Sequence, residues 1–92
     1  MDTDKCKVLL RTVQLGSMSA TSAELGYTPS GVSYIIDTIE AELGFKILNR
    51  KQSGISLTEA GEMIIPSFEE LLDVHGRLIE EAERIKKLYP PR

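Results

Sequence analysis

Between residues 64 and 89, mostly apolar side chains recur at alternating intervals of four and three: Ile64, Phe68, Leu71, His75, Leu78, Ala82, Ile85 and Tyr89. That spacing keeps them on one stripe of a helix and is the pattern of a heptad seam. A second row, Ile65, Leu72 and Ile79, recurs every seven residues beside it. Thr58 and Glu59 open the segment, acids lead, and Arg84, Lys86 and Lys87 close it, in step with the helix dipole. A helix over 58–88 is roughly 45 Å long. A single domain of 92 residues cannot cover two apolar rows over that length, so the seam predicts packing against a second copy of the chain. Pro66 is expected to kink this helix or free the carbonyl of Glu62, and Pro90-Pro91 ends it.

The preceding residues are punctuated by glycines. Cys6, Leu9, Leu10 and Val13 fall at i, i+3, i+4 and i+7, which predicts an amphipathic helix over 4–15, with Cys6 as a small core residue. Gly16 is suited to cap it, and Ser17 to start a short helix reaching about Leu25, with Met18, Ser22 and Leu25 inward. Gly26-Tyr27-Thr28 is a break. Thr28-Pro29, a hydroxyl cap followed by proline, starts a third helix that buries Val32, Ile36, Ile39 and Leu43 and closes at Gly44. Ile47-Leu48 and Ile55-Ser56-Leu57 are short β-prone runs around the turn-rich Lys51-Gln52-Ser53-Gly54, so a hairpin fits.

Much is excluded at once. Cys6 and His75 are each the sole residue of their kind, so the chain can build no intrachain disulfide, zinc cage or Ser-His-Asp constellation. With no nucleophile–base pair and no metal set, neither catalysis nor a cofactor is expected. No apolar run is long enough for a membrane span, and Met1 to Lys7 lacks the apolar core of a secretory signal. The net charge of −3 argues against nucleic acid, yet it is unevenly placed. Residues 45–56 carry Lys46, Arg50 and Lys51 without a single acid, between two acidic flanks.

Helix, short helix, tight turn, helix and basic hairpin is the order of a winged helix-turn-helix. The residues go further. The stretch GSMSATSAELGYTPSGVSYIIDTIEAELGFKILNR, followed by LTEAGE, closely resembles the N-terminal DNA-binding domain of LysR-type transcriptional regulators, from about Leu9 to Leu72. Matching features include Gly16-Ser17, Leu25 before the turn, Val32-Ser33, Ile39-Glu40, Leu43-Gly44, Arg50 and Leu57 through Glu62.

The resemblance implies a mainly α fold: a winged helix-turn-helix over 1–57 and a linker helix over 58–92 that pairs two copies. It implies sequence-specific binding of double-stranded DNA for bacterial transcription control, in the cytoplasm. Thr28, Pro29, Ser30, Ser33 and Tyr34 would face the major groove, and Ser17 and Ser19 would bond the backbone. Arg50, with Lys51 and Gln52, would run along or into the minor groove. Ile64, Phe68, Leu71, His75, Leu78 and Ile85 would form the homodimer contact. A small-molecule effector would act only through a C-terminal domain beyond a hinge near Pro90-Pro91. The residues admit other roles: a salt bridge for Arg50, a solvent-facing place for Ser33, packing on the helix surface for Tyr34, an interfacial hydrogen bond for His75.

Four positions depart from the family's habit. Tyr34 stands where arginine is common, Asp37 and Thr38 where basic or amide side chains are common, and Gly31 where alanine is usual. Residues 29–43 contain no cation and carry Asp37, Glu40 and Glu42. An acidic chain with an apolar pairing helix therefore also fits an interaction module that keeps the fold and acts by dimerising with full-length relatives. Salt separates the two, since binding to DNA weakens steeply with salt and apolar pairing does not.

Overall fold

The computed structural model describes residues 1–91. Four helices and one hairpin follow in order: α1 (Thr3–Leu15), α2 (Met18–Leu25), α3 (Pro29–Leu43), β1 (Leu48–Lys51), β2 (Gly54–Leu57) and α4 (Glu59–Leu88). Each helix is started by a side chain that accepts a hydrogen bond from a backbone N–H of the first turn. Asp2 caps α1, Ser17 caps α2, Thr28 caps α3 and Thr58 caps α4. Gly16, Gly26 and Gly44 end the first three helices in the left-handed region, at φ of 66°, 79° and 88°, where a β-carbon would be strained.

The core gathers Cys6, Val8 and Leu9 of α1, Val32, Ile35, Ile36 and Ile39 of α3, Ile47 and Leu48 at the wing, and Ile65 and Phe68 of α4. Cys6 lies inside it, and burial raises the pKa of its thiol, so it packs as an apolar residue. One expectation for α2 fails. Leu25 is 40% exposed, whereas Ser22 is buried and Met18 packs against the core as expected, and Thr21 completes the buried face. The Thr21 and Ser22 hydroxyls donate to the carbonyls of Ser17 and Ser19, at 2.9 and 2.8 Å. Small side chains satisfied within their own helix let α2 pack against both α1 and α3.

The hairpin is antiparallel, pairing Leu48 with Leu57, Asn49 with Ser56, Arg50 with Ile55 and Lys51 with Gly54, so only Gln52 and Ser53 form the turn. It is tied to the helical body at two places. Ile55 N donates to Gly16 O at 3.3 Å, and Thr58 N to Ile47 O at 2.9 Å. The same Ile47 carbonyl fixes α4: a β-carbon on Gly61 would lie 2.2 Å from it, so only glycine lets the first turn of α4 come this close.

α4 runs unbroken through Pro66. Pro66 and Glu62 are both exposed, so water can reach the carbonyl that the proline leaves without a helical donor. The first turns of α4 pack on α1, and the remainder projects. The radius of gyration is accordingly 15.7 Å, against roughly 12 Å for a compact domain of this length. Phe68 corrects the expectation of a seam devoted wholly to pairing, because it is 4% exposed in the chain's own core, with Ile65 beside it at 9%. α1 takes up both apolar rows over the first turns of α4. Ile64 is partly buried against the same core, and His75 is half-buried. Beyond that point the stripe is open: Leu71 is 43%, Leu78 63% and Ile85 44% exposed.

Candidate nucleic-acid interface

The candidate surface is built on the start of α3. Thr28 Oγ1 accepts from Gly31 N at 3.0 Å and lies 3.2 Å from Ser30 Oγ, so two hydroxyls meet at the helix tip beside Pro29. Because Val32, Ile35, Ile36 and Ile39 are drawn into the core, the opposite stripe of α3 is turned outward. It carries Ser30, Ser33, Tyr34 and Asp37, at steps of three, one and three residues. Tyr34 is 67% exposed, which settles its place on the surface rather than packed along the helix.

The wing and the start of α2 stand together beside this stripe. Ser17, Ser19, Arg50, Lys51 and Gln52 line one open cleft, so five of the residues expected at the DNA backbone share a surface. Ser17 Oγ accepts from Ala20 N at 3.1 Å and holds the α2 N-terminus open toward that cleft.

Arg50 is placed differently from the expectation of a side chain lying along the minor groove. Its guanidinium is folded onto α3: Nη1 donates to Ser33 Oγ at 3.0 Å, and Nη2 meets Glu40 at 3.2 Å and Asp37 at 2.6 Å. The reason is strand geometry. Leu48 points into the core, and side chains two apart on a strand share a face, so Arg50 is carried inward with it. Lys51, one residue on, takes the outer face, and among the described residues it is in no ion pair. The solvent-facing role admitted for Ser33 is replaced by a contact to the wing.

Glu40 is the residue that sequence reasoning misjudged. Counted there as one of three acids opposing DNA, it is 4% exposed and structural. Its Oε2 accepts from Ile47 N at 2.6 Å and from Leu48 N at 3.2 Å, while Oε1 faces Arg50 and, at 3.7 Å, Lys46. It thereby satisfies the two amides that enter the wing and joins α3 to β1. The three acids of α3 separate accordingly: Glu40 is internal, Glu42 meets the amino group of Met1 at 3.3 Å, and Asp37 alone stands on the outward stripe. Glu40 follows Val32 and Ile36 at eight and four residues and so lies on the buried stripe of α3, but its charge marks it as a surface residue by residue type.

An exposed recognition helix capped by hydroxyls, a short helix laid across it and a hairpin wing at its side define a winged helix-turn-helix DNA-binding domain. Residues 3–62 match the family model described as "Bacterial regulatory helix-turn-helix protein, lysR family". The chain belongs to that family. It is 38% identical over 80 residues to the HTH-type transcriptional activator TtdR of Escherichia coli strain K12, covering 87% of this chain and 26% of that protein. It is 30% identical over 88 residues to the probable HTH-type transcriptional regulator LrrA of Synechococcus elongatus, covering 96% of this chain and 30% of that protein. The chain thus spans about a quarter to a third of the length of these relatives. Among solved structures, the DNA-binding domain of CbnR in complex with DNA superposes with a TM-score of 0.86 at 25% identity, covering 92% of this chain and 98% of that one. Full-length CbnR with its target DNA gives 0.83 at 25% identity, over 90% of this chain and 29% of that chain. No helix among the described residues is long and apolar enough to cross a membrane.

Proposed function

We propose that this domain binds double-stranded DNA sequence-specifically as a homodimer and serves bacterial transcription control without catalysis, in the cytoplasm. The observation that carries the reading is the open cleft shared by the start of α2 and the wing, joined to the outward stripe of α3 by the Arg50–Ser33 hydrogen bond. Thr28, Pro29, Ser30 and Tyr34 enter the major groove. Hydroxyls there bond phosphate or a base edge, and the proline and tyrosine rings contact thymine methyls. Ser17 and Ser19 hold one phosphate run, and Lys51 with Gln52 follows the backbone toward the minor groove. Arg50 and Ser33 fix the angle between wing and α3, which sets where the wing meets the duplex.

Two copies pair through the open part of the α4 stripe, Leu71, Leu78 and Ile85, with His75 within it, while Ile64 and Phe68 brace the base of the helix from inside each copy. Two α3 helices then enter successive major grooves roughly 34 Å apart and read an inverted repeat. An effector, where one operates, acts through parts of the longer protein outside this domain.

Fluorescence anisotropy of a labelled mixed-sequence duplex, titrated at several salt concentrations, tests the reading. The expected result is an affinity that falls steeply and log-linearly with salt, by about 0.9 in slope per phosphate neutralised. Absence of salt-dependent duplex binding by an intact dimer replaces this reading with the interaction module.

A further inference from the structure

Across the wing and the recognition helix lies a cluster of four charges: Lys46 and Arg50 against Asp37 and Glu40. The two carboxylates have different work. Glu40 is buried and is committed to two backbone amides as well as to Arg50. Asp37 is 52% exposed at its side chain, and among the described residues its one polar partner is Arg50 Nη2, at 2.6 Å. It stands on the outward stripe of α3, one turn beyond Ser33 and Tyr34, on the side where a duplex would approach.

We propose that Asp37 is an intramolecular competitor for DNA phosphate: it occupies the Arg50 guanidinium and keeps the duplex affinity of the domain below what its fold supports. The proposal rests on the DNA-binding reading above. With Asp37 in place the four charges cancel, and a phosphate near Arg50 must either displace an ion-paired carboxylate or sit beside a like charge. Without that charge the cluster carries one net positive charge. Arg50 would still be held by Ser33 and Glu40, so the guanidinium would keep its place and gain a free edge toward solvent, its side chain being 32% exposed already.

The test compares the full chain with Asp37→Asn and Asp37→Glu on one labelled mixed-sequence duplex. Asp37 is exposed and makes no backbone contact, so both variants fold. Asp37→Asn should steepen the salt slope by about 0.9, which is about eightfold tighter binding at ~0.1 M salt. Asp37→Glu, which restores the charge, should bind like the parent. Inorganic phosphate, followed by NMR at the Arg50 Nε–H signal, should shift that signal in Asp37→Asn and leave it unmoved in the parent. Parent and Asp37→Asn binding equally, both with steep salt dependence, would overturn the proposal and leave the DNA-binding reading standing. Equal gains in both variants, or a phosphate response in Asp37→Asn that bypasses Arg50, would overturn it too. No salt-dependent binding by any of the three would remove the DNA-binding reading and the proposal with it.

Discussion

Glu40→Ala is the substitution that most directly probes how the wing is held to the recognition helix. The side chain is 3% exposed and engages four groups: Ile47 N at 2.6 Å, Leu48 N at 3.2 Å, Arg50 at 3.2 Å and Lys46 at 3.7 Å. Truncation leaves two buried amide donors without an acceptor, at about 1–3 kcal/mol each. It also breaks ion pairs with Arg50 and Lys46, but Arg50 is 32% exposed and keeps Asp37, and Lys46 is exposed, so that loss adds little. The expected loss is therefore about 2–5 kcal/mol. A chain of this length has only about 5–14 kcal/mol in total. The thermal midpoint should therefore fall by ~8–40 °C, at about 4–8 °C per kcal/mol. Glu40→Gln keeps one neutral acceptor for the amides and should lie between the variant and the parent. Urea unfolding followed by circular dichroism, at one fixed protein concentration because pairing adds to apparent stability, gives the free energies directly. A loss below about 1 kcal/mol for Glu40→Ala with an unchanged m-value would refute the claim that this carboxylate anchors the wing.

Three further outcomes follow from other parts of the molecule. Gly61→Ala would place a β-carbon 2.2 Å from the Ile47 carbonyl oxygen, so the start of α4 must shift, and a loss of about 1–3 kcal/mol is expected in the same urea assay; parental stability would contradict the close approach. Leu78→Asp replaces a side chain that is 63% exposed and outside the core, so the fold should persist while the dimer weakens by about 10–100-fold, the effect of losing about 1.5–3 kcal/mol of apolar burial; sedimentation equilibrium with unchanged association would place the pairing surface elsewhere. The hydrogen bond from Arg11 holds the Glu24 carboxyl below the ordinary carboxylate range. A depressed folded-state pKa stabilises above the unfolded value and is lost as pH falls through the folded one, so the stability gap between parent and Glu24→Gln should close on acidification, and a gap that widens there would reverse the assignment.

Most of the fold was legible because its signals are local. Ser17, Thr28 and Thr58 are hydroxyl caps at sequence positions that admit little else, and Gly16 and Gly44 mark helix ends by the backbone angle they adopt. The wing was legible from two β-prone runs and a turn, although its strands begin one residue later than Ile47 suggested at one end and one earlier than Ile55 at the other. What remained hidden depends on which surfaces meet. Phe68 fits the pairing seam by spacing, and only the crossing of α1 over α4 assigns it to the core. Leu25 reads as inward because it is apolar, yet it is exposed, and Thr21 joins the expected Ser22 on the buried face because its hydroxyl bonds its own helix. Arg50 could have been placed by counting two residues from the buried Leu48. Glu40 lies on the buried stripe by the same kind of counting, four residues past Ile36, but the backbone amides that compensate its charge lie seven and eight residues away and carry no sequence signal.

The central claim is that two copies of α3 read one duplex. The most direct measurement is selection of bound sequences from a randomised duplex pool by the purified domain at moderate salt. An enriched inverted repeat, with half-sites centred about one helical turn apart, is the predicted result. Enrichment of a single unrepeated half-site would contradict the dimeric reader, and no enrichment by an intact dimer would contradict sequence reading by this surface altogether.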